Sequence, residues 1–328
     1  MRAFACGRCG QRIFFENTAC LRCGAAVGFY AASRELVLCE EHPELHRCAN
    51  ETLAGCNWLT AEGPGGLCRS CALTRTRPRD DDQEGLAAFA VAEAAKRRLV
   101  LQLLDLGLAP GPDLRFDLLS SQQGPVLTGH ADGVVTIDLA ESDDARREAR
   151  RQQLGEPYRT MLGHFRHEIG HYFEPRVLDA TGEREAARAL FGDERASYAE
   201  ALERHYRDGP PVDWAERHVS AYATMHPWED WAESWAHYLH IRDTLETAGA
   251  FGLTVSGPTP ALSAQPDPEL DPGRPFSDLL ADWLPLTYAL NQINRSMGRD
   301  DLYPFTLAPT VIDKLGFVHC CLQRAVAA

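Results

Sequence analysis

Cysteine placement constrains this chain more than any other feature: nine of the eleven cysteines lie between residues 6 and 71 of 328. Cys6-Gly7-Arg8-Cys9-Gly10 and Cys20-Leu21-Arg22-Cys23-Gly24 are two Cys-x-x-Cys-Gly knuckles. In such a knuckle glycine permits the turn and backbone amides point at sulfur. The spacing predicts a compact zinc ribbon, and a structural one, because four thiolates leave no position for substrate. Cys48, Cys56, Cys68 and Cys71 predict a second four-thiolate zinc site, since so short a segment has too little apolar sequence to hold itself together. Cys48 and Cys56 are spaced too widely for a standard knuckle. Cys39, His42 and His46 therefore stay open as replacements for either of them, although Cys39 otherwise reads as a small buried residue and the two histidines as solvent-facing.

Thiolates kept for metal fit a reducing compartment. With no charged-then-apolar leader and no apolar run of transmembrane length, the expectation is a cytoplasmic protein without a membrane partner. The formal net charge of −14 speaks against bulk affinity for nucleic acid or an anionic membrane. Residues 1–79 alone hold ten arginines and seven glutamates, with Arg69, Arg75, Arg77 and Arg79 clustered at the end. Two dianionic zinc sites turn that surplus into a deficit of about one charge. The ribbon region thus reads as a scaffold or protein-contact surface before a nucleic-acid one. Asp80-Asp81-Asp82-Gln83-Glu84 then reverses the charge and reads as a solvated linker, which divides the chain into a ribbon region, 1–79, and a larger domain, 84–328.

The larger domain contains His167-Glu168-Ile169-Gly170-His171. At roughly 100° per residue a helix over 157–173 puts His167, Glu168 and His171 on one face. Tyr158, Met161, Leu162, Phe165, Ile169, Tyr172 and Phe173 fall on the apolar side. Pro157 suits a first helical turn, and Pro175 removes a donor where the pattern stops. Two imidazoles one turn apart can hold one Zn²⁺ while the glutamate after the first reaches a water on the metal. A third ligand is needed, and the stretch from His226 to His240 supplies candidates on a second amphipathic helix. Glu229, Glu233, His237 and His240 share a face there. His237 lies roughly 12 Å along the axis from Glu229 at 1.5 Å per residue, so both cannot bind one ion. Glu229 is the preferred ligand, with Glu233 one turn on as the acceptor that orients a zinc-bound imidazole.

Elsewhere, residues 84–106 predict a core helix ending at Gly107. Leu114, Phe116 and Leu118, and again Val135, Ile137 and Leu139 after Asp132-Gly133, alternate with polar residues and predict a small antiparallel sheet. The charged stretch 141–156 reads as surface helix or loop, 179–212 as a surface helix ending near Gly209, and 257–275 as a long loop. Two helices, 276–297 and 309–324, close the chain. Adjacent Cys320 and Cys321 read as packing.

Glu229-Asp230-Trp231-Ala232-Glu233 after His-Glu-x-x-His resembles the gluzincin metallopeptidases, whose ligand glutamate is followed by a carboxylate four residues on. Several of these place a tyrosine seven residues before that glutamate as donor to the developing oxyanion, and the matching position is Tyr222, with His226 as fallback donor. The order of ribbon, second cysteine set and metal helix also resembles a bacterial family of zinc-binding metallopeptidases with an N-terminal zinc-ribbon domain. The resemblance implies an α+β chain: zinc-ribbon modules, then a mainly helical zincin-like domain with a small sheet. It further implies that an edge strand near the metal pairs with the substrate backbone, for which 133–139 is the best candidate. The reading is a zinc-dependent peptidase acting on a peptide or protein substrate: one catalytic zinc on His167, His171 and Glu229, two structural zincs, Glu168 as general base then acid, and Tyr222 or His226 on the oxyanion. The alternatives are a ribbon adaptor that grips a peptide or protein partner without cutting it, and a nucleic-acid-binding ribbon with a hydrolase appended.

Overall fold

A computed structural model describes residues 2–143, 160–267 and 273–327. Pro157, Tyr158 and the charged stretch from 144 to 156 lie outside the described residues, as do 268–272 of the expected long loop. The chain is α+β and forms two compact units, Met1–Arg147 and Glu148–Ala328.

In the first unit, short antiparallel hairpins carry the cysteines. β1 (Phe4–Ala5) pairs with β2 (Arg12–Ile13), β3 (Val27–Tyr30) with β4 (Glu35–Leu38), and β5 (His46–Arg47) with β6 (Leu59–Thr60). The knuckle glycines Gly10 and Gly24 adopt φ of 69° and 70°, the left-handed region glycine enters without strain. Phe29 packs between Phe15 and Trp58, with ring centroids 5.0 and 4.7 Å away, so a miniature aromatic core backs the thiols.

That core is completed by α2 (Gln83–Asp105), whose Val100 and Leu101 are buried in the same cluster. Asp80 to Glu84, expected as a linker, starts this helix: Asp82 Oδ1 accepts from the Gly85 amide at 2.7 Å. The helix and the sheet that follows, which the sequence assigned to the larger domain, thus belong to the compact unit of the cysteines.

The sheet has the order β7-β8-β10-β9, with β7 (Thr74–Thr76), β8 (Arg115–Leu119), β9 (Gly129–Ala131) and β10 (Val134–Asp138). Two expectations need correction. β8 and β10 pair parallel, Val135 opposite Phe116 and Ile137 opposite Leu118; antiparallel pairing enters only through β9. Period-two alternation says which residues face the core and nothing about the direction of the partner. The expected substrate-pairing edge strand, 133–139, is an inner strand: it pairs with β8 over Val134–Asp138 and with β9 over Val134–Thr136. Asp132 (φ 49°) and Gly133 (φ 80°) form the expected tight turn, both central residues left-handed as a type I′ hairpin requires.

The second unit is helical. α3 (Met161–Thr181) starts at Thr160, whose Oγ1 accepts from the Gly163 amide at 3.0 Å, and ends at Gly182 with φ 70°. It therefore runs through Pro175, where the sequence suggested a stop. Burial of Val177 and Leu178 prolongs the packed face beyond the proline, and Arg176 Nη1 donates to the Tyr172 carbonyl at 2.7 Å beside it. The expected surface helix over 179–212 is two helices, α4 (Arg184–Phe191) and α5 (Tyr198–Asp208). α6 (Pro227–Ala250) lies against α3, while α7 (Phe276–Ser296) and α8 (Pro309–Ala327) support α6 from other sides. None of the described helices is long and apolar enough to cross a membrane.

What positions the site is the crossing of α3 and α6. A Cβ on Gly170 would lie 3.1 Å from Ala232 Cα and from the Trp235 ring, so a side chain there would push the two helices apart by a few tenths of an ångström. Trp231 Nε1 donates to the Gly170 carbonyl at 3.1 Å, and Phe173 stacks on Trp235 at 5.4 Å. His167 and His171 flank Gly170 on one helix; Glu229 and Glu233 flank Ala232 on the other.

His237, one turn beyond Glu233, is buried and bonded through Nδ1 to the Tyr303 hydroxyl at 2.7 Å. Burial pulls its pKa down to about 4. Below an unfolded value of about 6.5 the unfolded chain takes a proton that the folded chain refuses until about 4. The stability His237 contributes is thus complete above pH 6.5 and lost as pH falls through that window, on the order of 3 kcal/mol in all. His237→Gln should flatten the stability-versus-pH slope between pH 6.5 and 4 by about one proton. Urea titrations across that range measure it, and an unchanged slope would refute the assignment.

Candidate metal centre

Three clusters of ligand-type side chains occur among the described residues, each with its ligand atoms within 4.8 Å of one another: Cys6, Cys9, Cys20 and Cys23; Cys48, Cys56, Cys68 and Cys71; and His167, His171 and Glu229. All eleven cysteines are free thiols. Sulfurs at the corners of a tetrahedron with Zn–S of about 2.3 Å stand about 3.8 Å apart. Cys6 to Cys23 is 3.7 Å, Cys9 to Cys20 is 3.6 Å, and Cys56 to both Cys68 and Cys71 is 3.7 Å. Both sets fit zinc.

The wide spacing of Cys48 and Cys56 is bridged by α1 (Glu51–Ala54), a single turn ended by Gly55 at φ 57°, which returns the chain to the same sulfur cluster. Cys39, His42 and His46 lie outside that cluster; His42 Nδ1 instead meets Glu44 at 3.1 Å. In the first ribbon the amides of Cys23 and Arg22 bond the Cys20 sulfur and, against burial, lower its pKa to about 6, which favours the thiolate a metal needs.

The third cluster joins two helices. His167 Nε2 lies 2.9 Å from Glu229 Oε2 and 3.2 Å from His171 Nε2, and His171 Nε2 lies 3.4 Å from the same carboxylate oxygen. Ligand atoms about 2.0–2.1 Å from one tetrahedral ion stand roughly 3.3 Å apart, so this triangle is the size zinc requires. All three side chains are buried. Burial alone would raise the Glu229 carboxyl, but the two imidazoles outweigh it and hold Glu229 well below the usual range. His167 responds in the opposite sense: burial lowers its pKa, yet Glu229 and Glu233 carry it well above normal. The cage favours a positive charge at its centre.

Around the triangle, Glu233 Oε1 meets His167 Nδ1 at 2.7 Å, which fixes the ring with Nε2 toward the cage. Although burial opposes it, His167 brings Glu233 down to about 2. Glu168 Oε1 is 3.2 Å from His164 Nε2, while its buried Oε2 has no hydrogen-bond partner among the described residues. A buried carboxylate oxygen beside two imidazoles fits a role toward a reacting water. Tyr222 lies with its ring centroid 6.0 Å from that of His167. His237, as the spacing required, stands apart from the cage on Tyr303.

His226 requires a correction. The fallback oxyanion donor is instead the N-cap of α6: Nδ1 accepts from the Trp228 amide at 3.1 Å, and Nε2 donates to the Ala196 carbonyl at 3.1 Å. Both ring nitrogens are engaged, so no proton is left for an oxyanion. Sequence reasoning missed Tyr198, whose hydroxyl donates to Glu229 Oε1 at 2.9 Å. It sits 31 residues before Glu229 at the start of a charged surface helix, where the only readable signal is Ser197 as helix cap.

A family model described as "Putative zinc-binding metallo-peptidase" matches residues 85–321, and one described as a zinc-ribbon domain matches 3–82. Uncharacterized proteins of Mycobacterium tuberculosis and Mycobacterium bovis are each 50% identical over 333 residues, covering 99% of this chain and 96% of theirs. No solved structure matches.

Proposed function

The chain belongs to this zinc-binding metallo-peptidase family, and from that premise we propose that it hydrolyses peptide bonds by the gluzincin route. His167, His171 and Glu229 would hold the catalytic zinc. A zinc ion there supplies a Lewis acid that polarises a carbonyl and makes water a competent nucleophile near neutral pH. Glu168, whose Oε2 has no hydrogen-bond partner among the described residues, would take the water's proton and pass it to the departing amine. Tyr222 donates to the substrate carbonyl oxygen as negative charge builds there. Burial and the charge of Glu229 push its pKa far above normal, so it keeps its proton at working pH. Glu233 orients His167 through its other ring nitrogen, and His226 caps the helix that carries Glu229.

The observation that carries this reading is the triangle of two imidazole nitrogens and one carboxylate oxygen, 2.9 to 3.4 Å on a side, formed across two helices 62 residues apart in sequence. Incubating the zinc-loaded chain with a mixed-sequence peptide library should give cleavage products that disappear with a chelator and return with added zinc. A library left intact under all three conditions would defeat the peptidase reading and leave a domain that binds peptide without cutting it. The two cysteine clusters are proposed as structural zinc sites, so a metal assay should give about three zinc ions per chain.

A further inference from the structure

Glu229 has two oxygens with different partners. Oε2 faces the imidazoles, while Oε1 accepts the Tyr198 hydroxyl at 2.9 Å. We infer that Tyr198 is a positioning residue that locks Glu229 as a one-oxygen ligand and so keeps the fourth metal position open. The inference rests on the reading that His167, His171 and Glu229 hold a metal.

The geometry around Tyr198 is built for such a role. A tyrosine hydroxyl has one proton, and here it goes to the carboxylate. Tyr198 thereby anchors the proposed metal-binding carboxylate. Its own position is fixed from two sides. His226 Nε2 donates to the Ala196 carbonyl, two residues before Tyr198, and the His226 ring lies 5.4 Å from the Tyr198 ring. Trp228 meets the same ring edge-on at 6.2 Å while its other contact, at 4.2 Å, is with His171. One histidine thus clamps the loop before Tyr198 and caps the helix bearing Glu229.

The chemical consequence concerns coordination number. A carboxylate bound through one oxygen leaves a three-residue site with a vacancy for water or substrate; one that swings to bind through both fills it. With Oε1 tied to Tyr198, that swing costs a hydrogen bond to a buried carboxylate.

Tyr198→Phe keeps the ring and its contacts and removes only the oxygen. It should weaken metal binding at this site by about 10- to 100-fold, the range for loss of a group that orients a ligand. It should also alter the absorption of the Co²⁺-substituted site, whose nitrogen and oxygen ligands lack the intense thiolate bands of the cysteine sites. Tyr206→Phe, an exposed tyrosine on the same helix, is the control. A change in affinity or spectrum in Tyr198→Phe that is absent in the control supports the inference, and none in either quantity overturns it. If the wild-type chain itself takes no Co²⁺ or Zn²⁺ at this site, the metal-site reading fails, and this inference with it. Should Tyr198→Phe lose helical circular dichroism before metal is added, 3-fluorotyrosine at position 198 serves instead. A stronger donor there should shift the affinity upward, and no shift overturns the proposal.

Discussion

Glu168→Gln is expected to lower turnover of any cleaved peptide by on the order of 10²–10⁴-fold while the chain keeps its full complement of zinc. The asymmetry follows from where Glu168 stands. It projects beside the cage without belonging to the ligand triangle, so an amide of the same shape leaves the two imidazoles and Glu229 undisturbed. What the amide cannot do is accept water's proton. The bond to His164 Nε2 survives through the remaining carbonyl oxygen, so local packing is preserved as well. Glu229→Gln makes the contrasting pair: it removes a charged ligand and should lose both metal and activity. The Glu168→Gln loss should lie in kcat more than in KM, because proton transfer matters in the transition state rather than in peptide binding. A Glu168→Gln chain that matches wild type in turnover and zinc content would remove Glu168 from the chemistry.

Much of this site is legible in the sequence because helical period and short motifs encode it locally. His167, Glu168 and His171 need only a helix to share a face, and Glu229 and Glu233 likewise. What joins the two sets is long-range: Gly170 reads as a weak spot in a helix until Ala232 and Trp235 are seen to need its missing side chain. Tyr198 and the engagement of His226 are unreadable for the same reason, since each acts through a partner about thirty residues away. Pro175 misled in the other direction, because packing of Val177 and Leu178 outweighs the local loss of one donor. Strand alternation at 114–118 and 135–139 located β8 and β10 correctly, whereas parallel pairing depends on β9 occupying the outer edge, a matter of topology that alternation does not carry. The extent of the first compact unit was hidden as well. The Asp80 to Glu84 charge reversal resembles a linker, but Val100 and Leu101 beyond it are core residues of the cysteine-rich segment.

Cys56→Ala should unfold most of the first unit, not merely the loop around it. Cys48, Cys56, Cys68 and Cys71 are all buried, and they sit within the same cluster as Phe29, Trp58, Val100 and Leu101. Glu93 of α2 is fully buried with Oε2 3.6 Å from the Cys71 sulfur and Oε1 2.6 Å from buried Lys96. Arg97 of the same helix donates to the Ala54 carbonyl at 3.1 Å, next to the turn that brings Cys56 in. The helix thus meets the second cysteine site through Glu93, itself paired with Lys96, and through Arg97, and the burial of these charges is tolerable only while the site holds its shape. Structural zinc in small domains is worth roughly 10–16 kcal/mol of apparent folding free energy, which exceeds what a segment of this size has in reserve. Zinc content should fall by about one ion per chain, and amide protection should be lost through α2 and β8 as well as the ribbon. Cys9→Ala, at the partly exposed first site, should lose its zinc with damage confined to the β1–β2 hairpin and its neighbours. Hydrogen exchange read by mass spectrometry separates the two outcomes. Protection retained in α2 after Cys56→Ala would show that the helix and sheet stand without the second site, and would restore the boundary near residue 82 that the ribbon family match suggests.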